Sequence, residues 1–128
     1  MKNSYFFCLL IFSLCFLGQN SFSAEELKIK SSKIKVDKKT KLLFLDGNVS
    51  AIDSKNNKIT ADSAKYNKSQ KLIETIGKTK IITSEGYKIE GQNVFFDGVK
   101  KNISSNNATK IIDRDGNQIF VEMFEYHI

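Results

Sequence analysis

After an apolar N-terminal stretch, apolar and polar residues alternate with a period of two, and the alternation itself returns every 30 residues. Ile29, Ile59, Ile89 and Ile119 are spaced 30 apart. Five residues after each come Ile34, Ala64, Val94 and Phe124; seven after come Val36, Tyr66, Phe96 and Tyr126. In the second half of the unit Leu43, Ile73 and Ile103 correspond, as do Val49, Thr79 and Thr109. Within a unit Leu43, Leu45, Val49 and Ala51 share one strand face, while Lys78, Lys80 and Lys110 fall on the opposite face of later copies. Alternation of this kind marks half-buried β-strands. No mature stretch of ten or more residues follows a 3.6 period. Turn-forming clusters come every 8 to 12 residues, among them Asp37-Lys38-Lys39, Asp46-Gly47-Asn48, Asn67-Lys68-Ser69, Asp97-Gly98 and Asp115-Gly116-Asn117. Each unit is therefore read as two strands and two turns. Self-similarity at this period predicts stacked layers sharing one elongated core.

Two features modify that pattern. In Ile59 to Tyr66 the apolar positions jump by five and then by two, an odd step that would flip the face of an ideal strand. A β-bulge near Asp62-Ser63 would restore the phase, and the equivalents Ser31-Ser32-Lys33 and Gly91-Gln92-Asn93 predict its recurrence in each layer. The inner face also carries Thr75, Thr79, Ser105 and Thr109. So moderate an apolarity suits a groove that opens or holds a guest. The last unit stops after its first strand, leaving an apolar edge whose Ile119, Val121, Phe124 and Tyr126 are candidates for edge-strand assembly.

The N-terminus is a different kind of segment. Met1-Lys2 is followed by a 13-residue apolar run from Tyr5 to Leu17, interrupted only by Ser13, then a break at Gly18-Gln19-Asn20 and small residues at Ser21 and Ser23. That is the layout of a secretory signal peptide, too short for the roughly 20 residues of a spanning helix. The expected organisation is a signal peptide over 1–23 and a β-repeat domain over 24–128, its last repeat incomplete. An uncleaved anchor on the inner membrane is the alternative. Cys8 and Cys15 both lie in the apolar run, so the mature domain has no disulfide to hold it.

Charge and chemistry narrow the function. The net charge of +6 falls to +5 without Lys2, and Arg114 is the only arginine. Lysines alternating with apolar residues describe the wet face of strands, and no nucleic-acid partner is expected. His127 is the lone histidine and has no mature cysteine to pair with, so no catalytic or metal site is read. Asp113 to Asn117 faintly resembles a calcium loop but lacks the later glutamate, and reads better as a turn. No enzyme and no cofactor are expected.

Asp46-Gly47-Asn48-Val49, followed by Ile59-Thr60-Ala61-Asp62-Ser63-Ala64-Lys65-Tyr66, resembles the "GNV" strand and "ITAD-x-A-x-Y" pattern of the organic-solvent-tolerance (OstA) or LptA-like domain family. Gly77-Lys78-Thr79 and Ile89 to Phe96 resemble degenerate copies, and the likeness covers about residues 27–126. The resemblance implies an all-β, half-open β-jellyroll (a β-taco) built of stacked two-strand repeats. It implies a periplasmic protein, associated with the inner or outer membrane through partners, that carries lipopolysaccharide with its acyl chains inside the trough. Rim lysines would meet the phosphates of lipid A. Partners would be other OstA-like domains joined edge to edge, or further copies of the chain. By strand parity the lipid-lining candidates are Ile34, Val36, Leu43, Leu45, Val49, Ile59, Tyr66, Ile73, Ile81, Ile89, Val94, Phe96, Ile103, Ile111 and Phe124. Three other readings stay open: a strand-edge assembly module that carries no lipid, the truncated N-terminal domain of the outer-membrane assembly barrel, and a β-helical carbohydrate enzyme.

Overall fold

The computed structural model describes residues 27–128; the signal segment and its boundary at residue 23 lie outside them. The described chain is strands and turns: β1 (Lys28–Lys30), β2 (Lys33–Asp37), β3 (Leu42–Ile52), β4 (Lys58–Asn67), β5 (Leu72–Ile82), β6 (Lys88–Gln92), β7 (Phe95–Asp97), β8 (Asn102–Ser105), β9 (Thr109–Ile112), β10 (Gln118–Val121) and β11 (Phe124–His127). Every pairing is antiparallel.

The registers resolve this sheet into two leaves. One runs β1, β3, β4, β5, β6, β9, β10. The other runs β2, β3, β4, β5, β7, β8, β11. The long strands β3, β4 and β5 belong to both, each contributing one half to each leaf. The line along which they bend is a crease crossing the strands, and the two leaves fold toward each other about it.

The crease is the predicted bulge, with its surplus residue on other strands than expected. Asp46 faces Ser63 and Val49 faces Ala61, so Gly47 and Asn48 together oppose the single Asp62. On the other side Ala61 faces Thr79 and Ser63 faces Ile76, so Gly77 and Lys78 oppose the same residue. Asp62 thus marks the place, but the extra residue sits in β3 and β5. Gly47 (φ 74°), Asn48 (φ 51°) and Gly77 (φ 80°) take the left-handed conformation this demands. A Cβ at Gly47 would also come within 3.1 Å of Ser32. In the outer layers the same line breaks the strand outright, between β1 and β2, β6 and β7, β8 and β9, and β10 and β11.

Inside the fold the side chains form rows across the strands. In the first leaf Ile29, Ala51, Ile59, Ile81, Ile89, Ile111 and Ile119 lie in register. In the second Val36, Leu43, Tyr66, Ile73, Phe96, Ile103 and Tyr126 do the same. Nearer the crease the residues shrink: Ala61, Thr79, Gly91 and Thr109 on one side, Ala64, Thr75 and Ser105 on the other. In register with Ala61 and Ala64 stand the larger Val49 and Leu45 of β3, so small and large groups interlock there. A Cβ on Gly91 would reach 2.9 Å from the Thr109 hydroxyl.

The buried hydroxyls are explained by the crease and need no guest. Bending frees backbone groups that a straight ladder would pair, and a buried unpaired group is costly. The Val94 amide donates to Thr75 Oγ1 at 2.7 Å, and Thr79 Oγ1 donates to the same oxygen at 2.7 Å. Ser105 Oγ donates to the Gln92 carbonyl at 2.9 Å, and Thr109 Oγ1 to that of Asn107 at 2.8 Å. Thr75 is 1% exposed, so no water can replace it. Thr75→Val, which keeps the shape and strands the Val94 amide, is expected to lower unfolding free energy by about 1–3 kcal/mol in urea titrations. A loss below a few tenths of that would show the hydroxyl network to be dispensable.

Candidate functional site

The inner face between the leaves is the most developed surface in the molecule, and it is not uniform along its length. Its middle is packed shut. Leu45, Val49, Ile59, Ile73, Ile81, Ile89, Val94, Phe96 and Ile103 form one cluster with Ala51 and Ala64, all buried. Leu43, Tyr66, Ile111 and Phe124 are partly buried against it. Ile34 and Val36 point inward by register yet are 53% and 57% exposed, because β2 lies at the edge and no other described residue covers them. At the far end Ile119 is 48% exposed in the same way. The trough therefore has a filled centre and two open apolar mouths. Of the 15 lining candidates, nine make the centre, four its margin, and Ile34 and Val36 one mouth. The first row also takes in Ile29, Ala51 and Ile119, and the second Tyr126, which are not in that set.

The edge-strand candidates Ile119 and Val121 lie on β10, and Phe124 and Tyr126 on β11. Among the described residues each of these strands pairs on one side only, with β9 and β8. Tyr126 also ties the leaves together across this mouth. Its ring sits 6.2 Å from that of Tyr87, and its Oη donates to Glu85 Oε2 at 3.2 Å. Burial pushes the Tyr126 phenol up, as it does that of Tyr66.

Two lines of turns form the long lips of the trough, and their chemistry differs. On the first leaf the turns cover residues 53–57, 83–87 and 113–117. Asp53 and Asp113 each accept backbone amides of their own turn, from Asn57 at 2.8 Å and Asn117 at 2.9 Å. These bonds, led by the Asn117 side chain, hold the Asp113 carboxyl below its ordinary range. The suspected calcium loop is thus a closed turn whose acid serves its own backbone. Successive turns are also stitched together: the Ser84 amide donates to Asn57 Oδ1 at 2.8 Å, and Arg114 Nε donates to the Glu85 carbonyl.

The second leaf's turns cover residues 37–41, 67–71 and 97–101. Each is built alike. Asp37, Asn67 and Asp97 accept two amides of their own turn, and Lys41, Lys71 and Lys101 take positive φ at its end. The Lys39 amide, before the Thr40 groups, lowers the Asp37 pKa, so this acid stays ionised within its turn. This lip holds seven lysines against two aspartates, a formal +5, where the other holds two cations against four acids, a formal −2. The resemblance implies rim lysines without saying which; Lys41, Lys71 and Lys101, which share the 30-residue period, mark this lip. Beside it, at the mouth, Val36 and Leu43 floor an open hollow of about 610 Å³ bordered by Lys38, Lys41 and Lys68.

With this geometry in place, comparison with known proteins is informative. A family model described as "Lipopolysaccharide-assembly, LptC-related" matches residues 13–104. Among solved structures, the chain is similar to LptH of Pseudomonas aeruginosa, described as the LptA homologous periplasmic component of the lipopolysaccharide transport device. That likeness has a TM-score of 0.69 and 14% identity, over 80% of this chain and 76% of that one. At such identity the likeness is one of fold, and it agrees with the half-open jellyroll that the family resemblance implies. No curated protein matches the sequence.

The split between centre and mouth has a measurable consequence. Ile73→Ala, at a site 1% exposed, is expected to cost about 2–5 kcal/mol of stability. Val36→Ser should change stability by less than about 0.5 kcal/mol, as at other open surface sites. Equal losses in denaturant titrations would mean that the mouth is part of the core.

Proposed function

The chain belongs to the LptC-related lipopolysaccharide-assembly family, and from that footing we propose that its trough holds lipopolysaccharide acyl chains as one segment of the periplasmic bridge. The observation that carries this reading is the pair of seven-residue rows running the length of the trough and ending in exposed apolar mouths. Exposed apolar residues at both ends of a continuous apolar interior are what an amphiphile entering lengthwise requires. Each methylene transferred from water to such a surface contributes about 0.8 kcal/mol. A guest reaching the centre must part the leaves, since Ile81, Val94 and Ile103 are fully packed.

The same rows favour assembly through the open strand edges. β1 and β2 at one end and β10 and β11 at the other lack a second partner among the described residues. A neighbouring jellyroll domain, or a second copy, pairing there would extend both rows across the joint and cover the exposed Ile34, Val36 and Ile119. Such pairing would cover the apolar edges that are open among the described residues.

Photo-crosslinking residues placed at Val36, Tyr66 and Phe96 should capture lipopolysaccharide, with Val36 reacting first. Lys78, on the outside of the crease, should not. Capture at Lys78 alone would sink the trough reading. For assembly, Ile119→Lys should weaken end-to-end association at least tenfold by sedimentation while the far-ultraviolet spectrum stays that of the parent. Unchanged association would remove that edge from the joint.

A further inference from the structure

The two lips of the trough are chemically unlike, and the difference is built into the repeat. Three hairpin turns, β2–β3, β4–β5 and β7–β8, stand side by side along the second leaf. Neighbouring hairpins are two strand spacings apart, about 10 Å. Each turn satisfies its own amides through Asp37, Asn67 or Asp97, bonds in which the donor-only lysine ammoniums take no part. Among the described residues Lys38, Lys41 and Lys68 make no ion pair. The opposite lip is knitted turn to turn and carries the opposite formal charge.

The apolar row of the second leaf begins directly inboard of these lysines. Val36 precedes Asp37, and Leu43 lies across from Val36 in β3. Hence the hollow of about 610 Å³ at this mouth has an apolar floor and a border of three ammonium groups with Ser69 and Asp37, whose carboxylate is engaged by amides of its own turn. An ammonium is a compact point charge suited to phosphate oxygens. A floor of Val36 and Leu43 has no use for a free inorganic anion. Together they describe one ligand chemistry: a phosphate group attached to an acyl-bearing body.

We propose that the lysine lip of the second leaf is the phosphate-binding edge of the trough. A phosphorylated amphiphile then lies with its phosphates on Lys38, Lys41 and Lys68 and its chains turned inward past Val36 and Leu43. The lip thereby sets which way round the lipid sits, with its head over the second leaf and away from the first. This rests on the reading that the trough takes acyl chains, and the experiment separates the two claims.

The test uses the mature protein, carrying either K38Q/K41Q/K68Q or the control K58Q/K78Q/K80Q, which removes equal charge from the first leaf and the crease. Binding is measured for bisphosphorylated lipid A and for its enzymatically dephosphorylated form. The lip variant should lose at least tenfold in affinity for the phosphorylated lipid, and the control less than twofold. Both should bind the dephosphorylated form as the parent does. Equal losses in the two variants, or none in the lip variant, overturn the lip assignment while lipid binding by the parent leaves the trough reading standing. Failure of the parent to bind either lipid overturns both. Inorganic pyrophosphate at equal concentration should not displace the lipid; displacement of all the lysine-dependent binding overturns the amphiphile in favour of a free anion site. Lysine-dependent attachment to intact phosphatidylglycerol vesicles, with no lipid A bound in solution, would assign the lip to a membrane surface and overturn the proposal.

Discussion

Where Gly47 and Asn48 face the single residue Asp62, and Gly77 and Lys78 face it from the other side, the sheet carries one backbone unit more in β3 and β5 than in β4. A pleated ladder cannot absorb that surplus while flat, so it bends. Every larger feature follows from the bend. It turns one broad sheet into two facing leaves, gives the interior a narrow and a wide side, and puts the hairpin turns out along two lips. It also frees backbone groups in a place water cannot reach. The hydroxyls of Thr75, Thr79, Ser105 and Thr109 take them up, which is why polar side chains line the narrow side of an apolar trough.

Packing then divides the trough along its length. A strand in the middle has neighbours on both sides and a leaf across from it, and Ile73, Ile81 and Ile103 are closed off entirely. Among the described residues a strand at either end lacks one neighbour, and the same inward register leaves Ile34 or Ile119 half open. The repeat supplies similar residues throughout, so the difference between core and mouth is positional rather than chemical. Stability and access are thereby assigned to different layers of one repeating unit.

Much of this is legible in the sequence because the period is strict. Residues 30 apart fall on equivalent strands, and the alternation of two picks out the inner face correctly for Leu45, Ile81 and Val94 alike. The phase jump around Asp62 gives away the bend. Its partner strands do not show up, since parity is unchanged when Leu45 and Val49 lie four apart; only the left-handed residues there hint at it. Exposure of Ile34 and Val36 is not legible, because it depends on which strand ends the sheet. The buried threonines mislead for a related reason. Counted as polar they weaken the core, and only the three-dimensional crease shows the backbone groups they serve. The lysine lip was periodic all along but fell in turns, where lysine is ordinary.

Among the described residues each leaf holds seven strands, all antiparallel, and seven is odd. The first and last strands of a leaf therefore point the same way. A neighbour that prolongs both rows and keeps its lips aligned must lay its β1 beside this chain's β10, and its β2 beside β11, in parallel. Such a seam has evenly spaced, slanted hydrogen bonds, unlike the alternating close and wide pairs within the leaf, and holds slightly less strongly per residue. Strand parity alone would thus give such a seam a hydrogen-bond pattern distinct from every pairing inside the leaf.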